Sequence, residues 1–185
     1  GLVNVVRRFE VGVFAHPDVP GTAAGWKVLK EEIAHRTVPE KTVITGDTIR
    51  FTNIHFDIIN PPAGFESKEL NDYSVVGTLR FGEFDVLLTG DVTPKVIPLF
   101  LDSVREVEVL KVPHHGSKNG LTRELLEKSS PQLAVISVGK NNRYGHPHEE
   151  AIRLLDYQGV RILRTDLNGK IEVVSDGNKW WIKNQ

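Results

Sequence analysis

The sequence predicts an α/β fold in which buried strands alternate with helices and polar clusters gather at one edge of a sheet. Three apolar runs rich in β-branched residues support this prediction, because such continuous runs are typical of strands buried on both faces. The runs lie at residues 84–88, 107–112 and 133–138. Helical segments separate them, and acidic or imidazole side chains follow each run.

The first half of the chain predicts helices and hairpins from its hydrophobic periodicity. A polar loop that begins at Asn60-Pro61-Pro62 separates the two hairpins, because it carries strong turn signals. The expected elements are the end of an amphipathic helix at 1–9, a strand at 11–15, a helix at 21–36, one hairpin of strands 48–51 and 55–59, and a second hairpin of strands 74–81 and 84–88.

The second half predicts alternating strands and helices followed by a final hairpin. The helix that follows His148 opens with two acidic residues, Glu149 and Glu150, which suit the positive end of a helix dipole. The expected elements are helices at 93–102, 122–128 and 148–157, a strand at 160–164, a turn at Asn168-Gly169, and strands at 171–175 and 179–182.

Composition limits the classes of function. The chain has 185 residues, of which 39% are apolar, so one globular unit is expected. Its net charge of −1 provides no global attraction for nucleic acid, so DNA binding would need a local basic patch. Cysteine is absent, which excludes disulfides, thiolate zinc sites and a cysteine nucleophile. No apolar stretch approaches the ~20 residues that cross a bilayer, and no secretory signal pattern is found.

Three polar clusters follow the predicted buried strands, and they provide the candidate site residues. Loops at the carboxyl ends of strands commonly carry the chemistry of α/β proteins. Asp91, the pair His114-His115, and His146 are therefore the candidates, and neutral imidazoles are good ligands for zinc, manganese or iron. Two alternatives stay open: Asp91 caps the helix at 93–102, and one histidine of the pair only binds backbone.

Polar and basic residues beside these clusters predict a phosphate site. Ser117 supplies a hydroxyl group, and Lys118, Lys140, Asn142 and Arg143 supply positive charge and amide donors. A solvated basic loop is the alternative. A separate group is expected to orient a ligand or to donate hydrogen bonds, although turn and cap chemistry explains it almost as well. This supporting group consists of Asn71, Asp72 and Ser74.

The motifs together resemble the metallo-β-lactamase-like C-terminal domain of the ComEC family of competence proteins. They are Leu-Leu-Thr-Gly-Asp at 87–91, Leu-Lys-Val-Pro-His-His-Gly-Ser at 110–117, Ile-Ser-Val-Gly-Lys-Asn-Asn-Arg-Tyr-Gly-His-Pro-His at 136–148, and Arg-Thr-Asp at 164–166. The resemblance implies an αββα sandwich attached to the membrane channel domains of a DNA-uptake protein. It also implies metal-dependent, nuclease-like cleavage of DNA outside the cytoplasm, which degrades the strand that is not imported.

The resemblance also implies a role for each candidate residue. Two divalent ions, zinc or manganese, would be bound in the intact domain, with Asp91 bridging them. His114 or His115 would be a ligand of the second ion, and His146 a late active-site histidine.

The chain departs from the family pattern at its start. The superfamily's main ligand cluster, of the form His-x-His-x-Asp-His, should precede a Gly-Gly-Leu helix, and this chain begins at Gly1-Leu2. Residues 1–185 are therefore expected to be a single domain that lacks its N-terminal strands and its principal metal motif. We expect a soluble fragment with weak or no metal binding and no activity.

Two other functions stay open from the sequence, and with them the question of whether the chain is an enzyme. One is a stand-alone metallohydrolase of the same fold that acts on a small ester, lactone or phosphodiester. The other is a catalytically dead module that binds DNA.

Overall fold

A computed structural model of the chain describes residues 1–19, 21 and 24–183. The chain divides into two units, Gly1–Val43 and Ile44–Gln185. The predicted α/β class is confirmed, because the larger unit contains a seven-stranded mixed sheet with helices packed against it. The expectation of a single domain over 1–185 stays a prediction.

Among its described residues, the smaller unit has two helices and two short strands that pair in parallel. Val6, Leu29 and Ile33 form its buried core. The strand expected at 11–15 begins only at Phe14, because its partner strand offers three residues for pairing. Gly21 is not helical, and residues 22 and 23 of the expected helix lie outside the described residues. The elements are α1 (Leu2–Arg8), β1 (Phe14–His16), α2 (Ala24–His35) and β2 (Glu40–Thr42).

The larger unit contains nine strands among its described residues. Seven of them form one sheet in chain order, antiparallel across its first four strands and parallel across its last four. The other two form the predicted final hairpin. The strands are β3 (Thr48–Phe51), β4 (Ile54–Asn60), β5 (Val76–Phe81), β6 (Phe84–Leu88), β7 (Val109–Lys111), β8 (Leu133–Ile136), β9 (Arg161–Arg164), β10 (Val173–Ser175) and β11 (Trp180–Ile182).

Four α-helices are described in this unit, and most follow strands of the parallel half. They are α3 (Ile97–Phe100), α4 (Arg123–Ser129), α5 (Glu149–Tyr157) and α6 (Thr165–Asn168). Single 3₁₀ turns occupy Leu70–Tyr73, Leu101–Ser103 and Pro113–Gly116. The predicted turn at Asn168-Gly169 is confirmed as the end of α6, where Gly169 has a φ of 68°.

Two apolar layers pack against opposite faces of the seven-stranded sheet. On one face, Leu87, Leu110 and Ala134 join the main core with side chains of the helices. On the other face, Phe84, Val109 and Leu133 pack with side chains of β10 and β11. The alternation of side chains along each strand separates these two sets. The buried apolar runs of the sequence therefore become strands covered on both faces.

The helix predicted at 93–102 is wrong in length. Only Ile97–Phe100 is α-helical, followed by one 3₁₀ turn. Pro94 lies inside the expected segment and Pro98 lies at the start of the observed helix, where a missing N–H is tolerated. The helix cap is Val96. The alternative of Asp91 as cap of this helix is therefore also wrong.

The four parallel strands fix where polar loops can meet. Strands β6 to β9 are neighbours and run in the same direction, so their carboxyl ends lie at one edge of the sheet. Asp91 follows β6, the histidine pair follows β7, and Ser137 follows β8. The topology places the candidate residues at a common edge.

The packing of α3 generates a prediction about stability. Phe100 is 2% exposed within the main core, whereas Leu99 on the same helix is 59% exposed. Phe100→Ala should lower the free energy of unfolding by about 3–5 kcal/mol, because it removes a large buried side chain. Leu99→Ala should change it by less than about 0.5 kcal/mol. Urea unfolding of both variants measures the difference, and equal losses would contradict the packing described.

Candidate active site

Asp91 and His115 approach each other at the carboxyl edge of the sheet. His115 Nε2 lies 3.4 Å from Asp91 Oδ1, and both side chains are partly exposed to solvent. These residues are 24 positions apart in the sequence, and adjacent parallel strands bring them together. The structure therefore joins the acidic cluster to the histidine pair, and of the pair it is His115 that faces the carboxylate.

The orientation of the His115 ring follows from one hydrogen bond. Its Nδ1 lies 2.6 Å from the backbone carbonyl oxygen of Ser137. A carbonyl oxygen only accepts, so Nδ1 must carry the proton. In the neutral ring, Nε2 then presents its lone pair to the Asp91 carboxylate. Two acceptors that face each other need a proton or a cation between them, so the pair has the geometry of a cation ligand set.

The turn that carries the histidines has an uncommon backbone conformation. His114 and His115 have φ values of 47° and 56°, in the left-handed region, and Gly116 follows with 77°. Left-handed conformations at non-glycine residues cost about 1–3 kcal/mol each and cluster at functional sites. The His114 N–H donates to the carbonyl oxygen of Gly90 at 3.1 Å, which ties this turn to the Asp91 loop.

His114 carries a buried nitrogen without a partner. Its Nδ1 is shielded from solvent and accepts or donates no hydrogen bond within the described part of the chain. A buried polar atom without a partner is costly. The ring centroid lies 5.8 Å from that of His146. His114 thus has a free nitrogen inside the histidine cluster, and this chemistry fits a metal ligand.

His146 lies among three other histidines. Its ring centroid is 6.4 Å from that of His115 and 4.8 Å from that of His148. Burial lowers the pKa of His146, neighbouring imidazoles lower it further, and Asp91 opposes them. The lowered pKa favours the neutral ring. His148 has a different role: its Nδ1 accepts from the backbone N–H of Lys118 at 3.1 Å, and the residue occupies the N-cap position of α5 without a capping hydrogen bond from its side chain.

Gly90 and Ser74 position the Asp91 loop. Gly90 has a φ of 55°, and a Cβ there would lie 2.9 Å from Ser74 Cβ. The Ser74 hydroxyl oxygen accepts a hydrogen bond from the backbone N–H of Asp91 at 3.1 Å. Ser74 thus contacts the carboxylate loop directly. Asn71 instead contributes its carbonyl oxygen to a bond from the Ser74 N–H.

Asp72 is buried behind this loop and joins three segments. It accepts hydrogen bonds from the Ser67 hydroxyl group at 2.6 Å and from the Thr93 hydroxyl group, and Lys95 Nζ lies 3.5 Å away. Burial raises the pKa of Asp72, but the two hydroxyl donors and Lys95 outweigh it, so the pKa lies below its usual value. Asp72 therefore stays ionised and anchors the segment after Asp91.

Lys111 is a charged residue of the site that the sequence interpretation did not select. It ends β7, and its Nζ donates to the carbonyl oxygen of Val112 at 2.8 Å. Burial lowers the pKa of Lys111, and the negative charge of Asp91 partly opposes this effect. A lysine at the last position of a buried strand, next to a predicted ligand cluster, is the signal that could have identified it.

An open cleft of about 440 Å³ adjoins the histidine cluster. Asn142 holds one wall, because its amide donates to the carbonyl oxygens of Gly139 and His146 and accepts from the His146 N–H. Both amide hydrogens of Asn142 are thus used inside the loop. The lining residues are His115, Ser137, Val138, Gly139, Asn142, Tyr144, His146 and Thr165.

The other residues predicted to bind phosphate differ in their exposure to solvent. Lys118, Lys140 and Arg143 are exposed, and within residues 24–183 none of them forms an ion pair. Ser117 is buried, and its hydroxyl oxygen accepts from the Asn119 N–H at 3.2 Å. Three cations are therefore available to an anion, whereas the Ser117 side chain faces the protein.

The metal ligand set among the described residues is incomplete. No group of three or more histidine, aspartate or glutamate side chains is arranged to hold a metal ion in the parts of the chain at 1–19, 21 and 24–183. Asp91 and His115 form a two-ligand arrangement, and His114 and His146 lie next to it. The residues present fit a divalent cation as part of a site.

Comparison with known proteins identifies the family. No family model matches the chain. The chain is 37% identical over 131 residues to ComE operon protein 3 of Bacillus subtilis and 32% identical over 128 residues to Recombination protein 2 of Haemophilus influenzae. Each match covers 69% of this chain and 16% of the relative. Over that part of its length, the chain belongs to the ComEC family of competence proteins.

The fold prediction agrees with a solved structure. CmlA, a diiron β-hydroxylase from Streptomyces venezuelae, matches with a TM-score of 0.58 and 16% identity over 88% of this chain and 40% of CmlA. The predicted metallo-β-lactamase-like fold class is confirmed, with a large mixed sheet flanked by helices. The ComEC-family chain spans about one sixth of the length of these two curated relatives. None of its described helices is long and apolar enough to cross a membrane.

The Asp72 cluster generates a prediction about acid stability. Since the pKa of Asp72 is lowered in the folded state, its contribution is present above the unfolded pKa of about 3.9 and is lost as the pH falls below that value. Asp72→Asn should lower the free energy of unfolding at pH 7 by about 1–3 kcal/mol, because buried hydrogen bonds are lost. The substitution should also make the free energy of unfolding fall less steeply as the pH is lowered.

Chemical unfolding between pH 3 and 7 measures this change, with Asp156→Asn as the control because Asp156 is exposed on α5. An Asp72→Asn variant that keeps the full acid dependence of the parent would refute the anchoring role.

Proposed function

We propose that this chain is the nuclease-like part of a DNA-uptake protein and that its site hydrolyses phosphodiester bonds with the help of divalent metal ions. The observation that carries the proposal is the Asp91–His115 pair, in which a carboxylate oxygen and an imidazole nitrogen lie 3.4 Å apart. Membership of the ComEC family of competence proteins and the relative named Recombination protein 2 support DNA as the substrate.

Asp91 and His115 would hold the metal, with His114 as the third candidate because its buried Nδ1 has no partner. Zinc and manganese both suit these oxygen and nitrogen ligands. When bound, such ions acidify a water molecule and neutralise charge on the phosphoryl oxygens. CmlA, which has a similar fold, is a diiron enzyme, so a metal-binding site in this chain would agree with that neighbour. Because one fold carries many different sites, the ligands are assigned from this chain's own residues.

The chain's own side chains support the remaining steps of a hydrolysis. The His146 ring is stacked near that of His115, with 6.4 Å between the centroids, so it would be placed to accept a proton from a nucleophile at the Asp91–His115 pair. Lys118, Lys140 and Arg143 would attract phosphate oxygens, since they are exposed cations on two loops, the one between β7 and α4 and the one between β8 and α5. Asn142 would keep the loop that carries His146 in position.

We further propose that the 185-residue chain alone binds metal weakly and turns over little. A two-ligand arrangement retains a divalent ion poorly, and the further ligands that a stable dinuclear site needs are not grouped among the described residues. The proposal includes location in a cell-membrane protein, with the domain outside the cytoplasm, as the resemblance implies.

A second candidate is a DNA-binding module without catalytic activity. The incomplete ligand set within the described residues favours it. The unpaired cations of the two loops would serve such a module equally well.

The proposal is tested by the cleavage of linear single-stranded DNA with manganese, using the full-length gene product. Asp91→Asn and His115→Ala should each reduce cleavage by at least about 100-fold, since losing even a group that orients a ligand costs about 10–100-fold. Asp176→Asn is the matched control, because Asp176 lies in the β10–β11 turn, where its carboxylate accepts from the backbone N–H groups of Asn178 and Lys179.

Gel electrophoresis of the products measures cleavage, and circular dichroism shows whether each variant is folded. Full activity in both His114→Ala and His115→Ala would remove the pair from the mechanism. DNA binding without metal-dependent cleavage by the unmodified protein would favour the non-catalytic module, and hydrolysis of a small ester alone would favour a small-substrate enzyme.

A further inference from the structure

Tyr144 is an exposed aromatic residue with one face of its ring covered by the protein. Tyr144 lies on the loop between β8 and α5 and is 72% exposed. The ring is stacked on His146, with 5.7 Å between the centroids and 25° between the planes. Its hydroxyl group makes no hydrogen bond to any residue in the described part of the chain. One face is therefore supported and the other is open.

The stack continues toward the Asp91–His115 pair. His146 is itself stacked near His115, with an angle of 21° between the two rings. Three rings of similar tilt thus lead from solvent to the edge of the pair, and all three line the cleft of about 440 Å³. This volume lies within the range of about 300–1,000 Å³ that ligand pockets occupy.

Comparison with the other tyrosines shows that the position of Tyr144 is not explained by packing. Tyr73 is 6% exposed and packs against Phe65. Tyr157 is exposed, but its ring is covered by the guanidinium of Arg123 at 5.5 Å. Tyr144 has neither a core contact nor a cation over its ring within the described residues. Its open face is available to a flat ligand.

We propose that Tyr144 is the stacking platform for a nucleobase of single-stranded DNA and that the cleft receives a nucleotide next to the scissile phosphate. The inference rests on the proposed function and specifies that the substrate of the same site is single-stranded DNA. Base stacking on aromatic side chains tolerates any base, and it requires unpaired bases. Lys140 and Arg143, on the same loop, would contact the phosphates on either side of the stacked base.

The test measures the affinity of the 185-residue chain for two probes at low salt. One probe is a short fluorescein-labelled oligothymidylate, and the other has the same length and charge but contains abasic nucleotides. Tyr144→Ala should weaken binding of the thymidylate by about 5-fold to 100-fold and leave the abasic probe unchanged, because only the former can stack. Tyr144→Phe should bind both probes like the unmodified chain.

Tyr157→Ala is the matched control, since it removes an exposed tyrosine from α5 that does not line the cleft. Fluorescence anisotropy gives the dissociation constants. Equal affinity of the unmodified chain for the two probes, no binding of either, or the same change for both probes in Tyr144→Ala would overturn the inference. The manganese-dependent cleavage assay of the full-length protein is independent, so an intact Asp91-dependent cleavage would leave the proposed function standing.

Discussion

The hydrogen bond from His115 Nδ1 to the carbonyl oxygen of Ser137 is the interaction on which the candidate site depends. It fixes the ring and leaves Nε2 directed at Asp91. The acceptor is backbone at the end of β8, and Thr165 holds the next residue, because its hydroxyl group bonds to both the N–H and the carbonyl oxygen of Val138. The ends of three parallel strands thus determine the direction of one imidazole lone pair.

This arrangement requires backbone that is unfavourable by itself. His114 and His115 are both left-handed, and Gly90 approaches Ser74 too closely for a side chain. The fold stabilises these conformations by long-range bonds, such as the His114 N–H to the Gly90 carbonyl oxygen, and by the buried Asp72 cluster behind the loop. Strained backbone conformations that the surrounding structure stabilises are typical of sites that must hold ligands in a fixed geometry.

The sequence predicts the shared edge of the site but not its details. Apolar runs indicate parallel strands, and their topology alone brings Asp91 to the histidine pair, which makes that part predictable. The choice of His115 over His114 depends on left-handed backbone and on a carbonyl from another strand, and local patterns report neither. The helix expected at 93–102 is too long for a local reason: Pro94 and Pro98 interrupt the segment, and the α-helix begins only at Ile97.

The charge distribution explains why a stacking contact matters in the proposed function. The chain has a net charge of −1, so it lacks the general field that concentrates DNA around strongly basic proteins. Few phosphate contacts are available, since the exposed cations of the two loops are Lys118, Lys140 and Arg143. A base held on Tyr144 adds affinity that salt does not screen. It also places the strand at the Asp91–His115 pair, because the ring stack ends there.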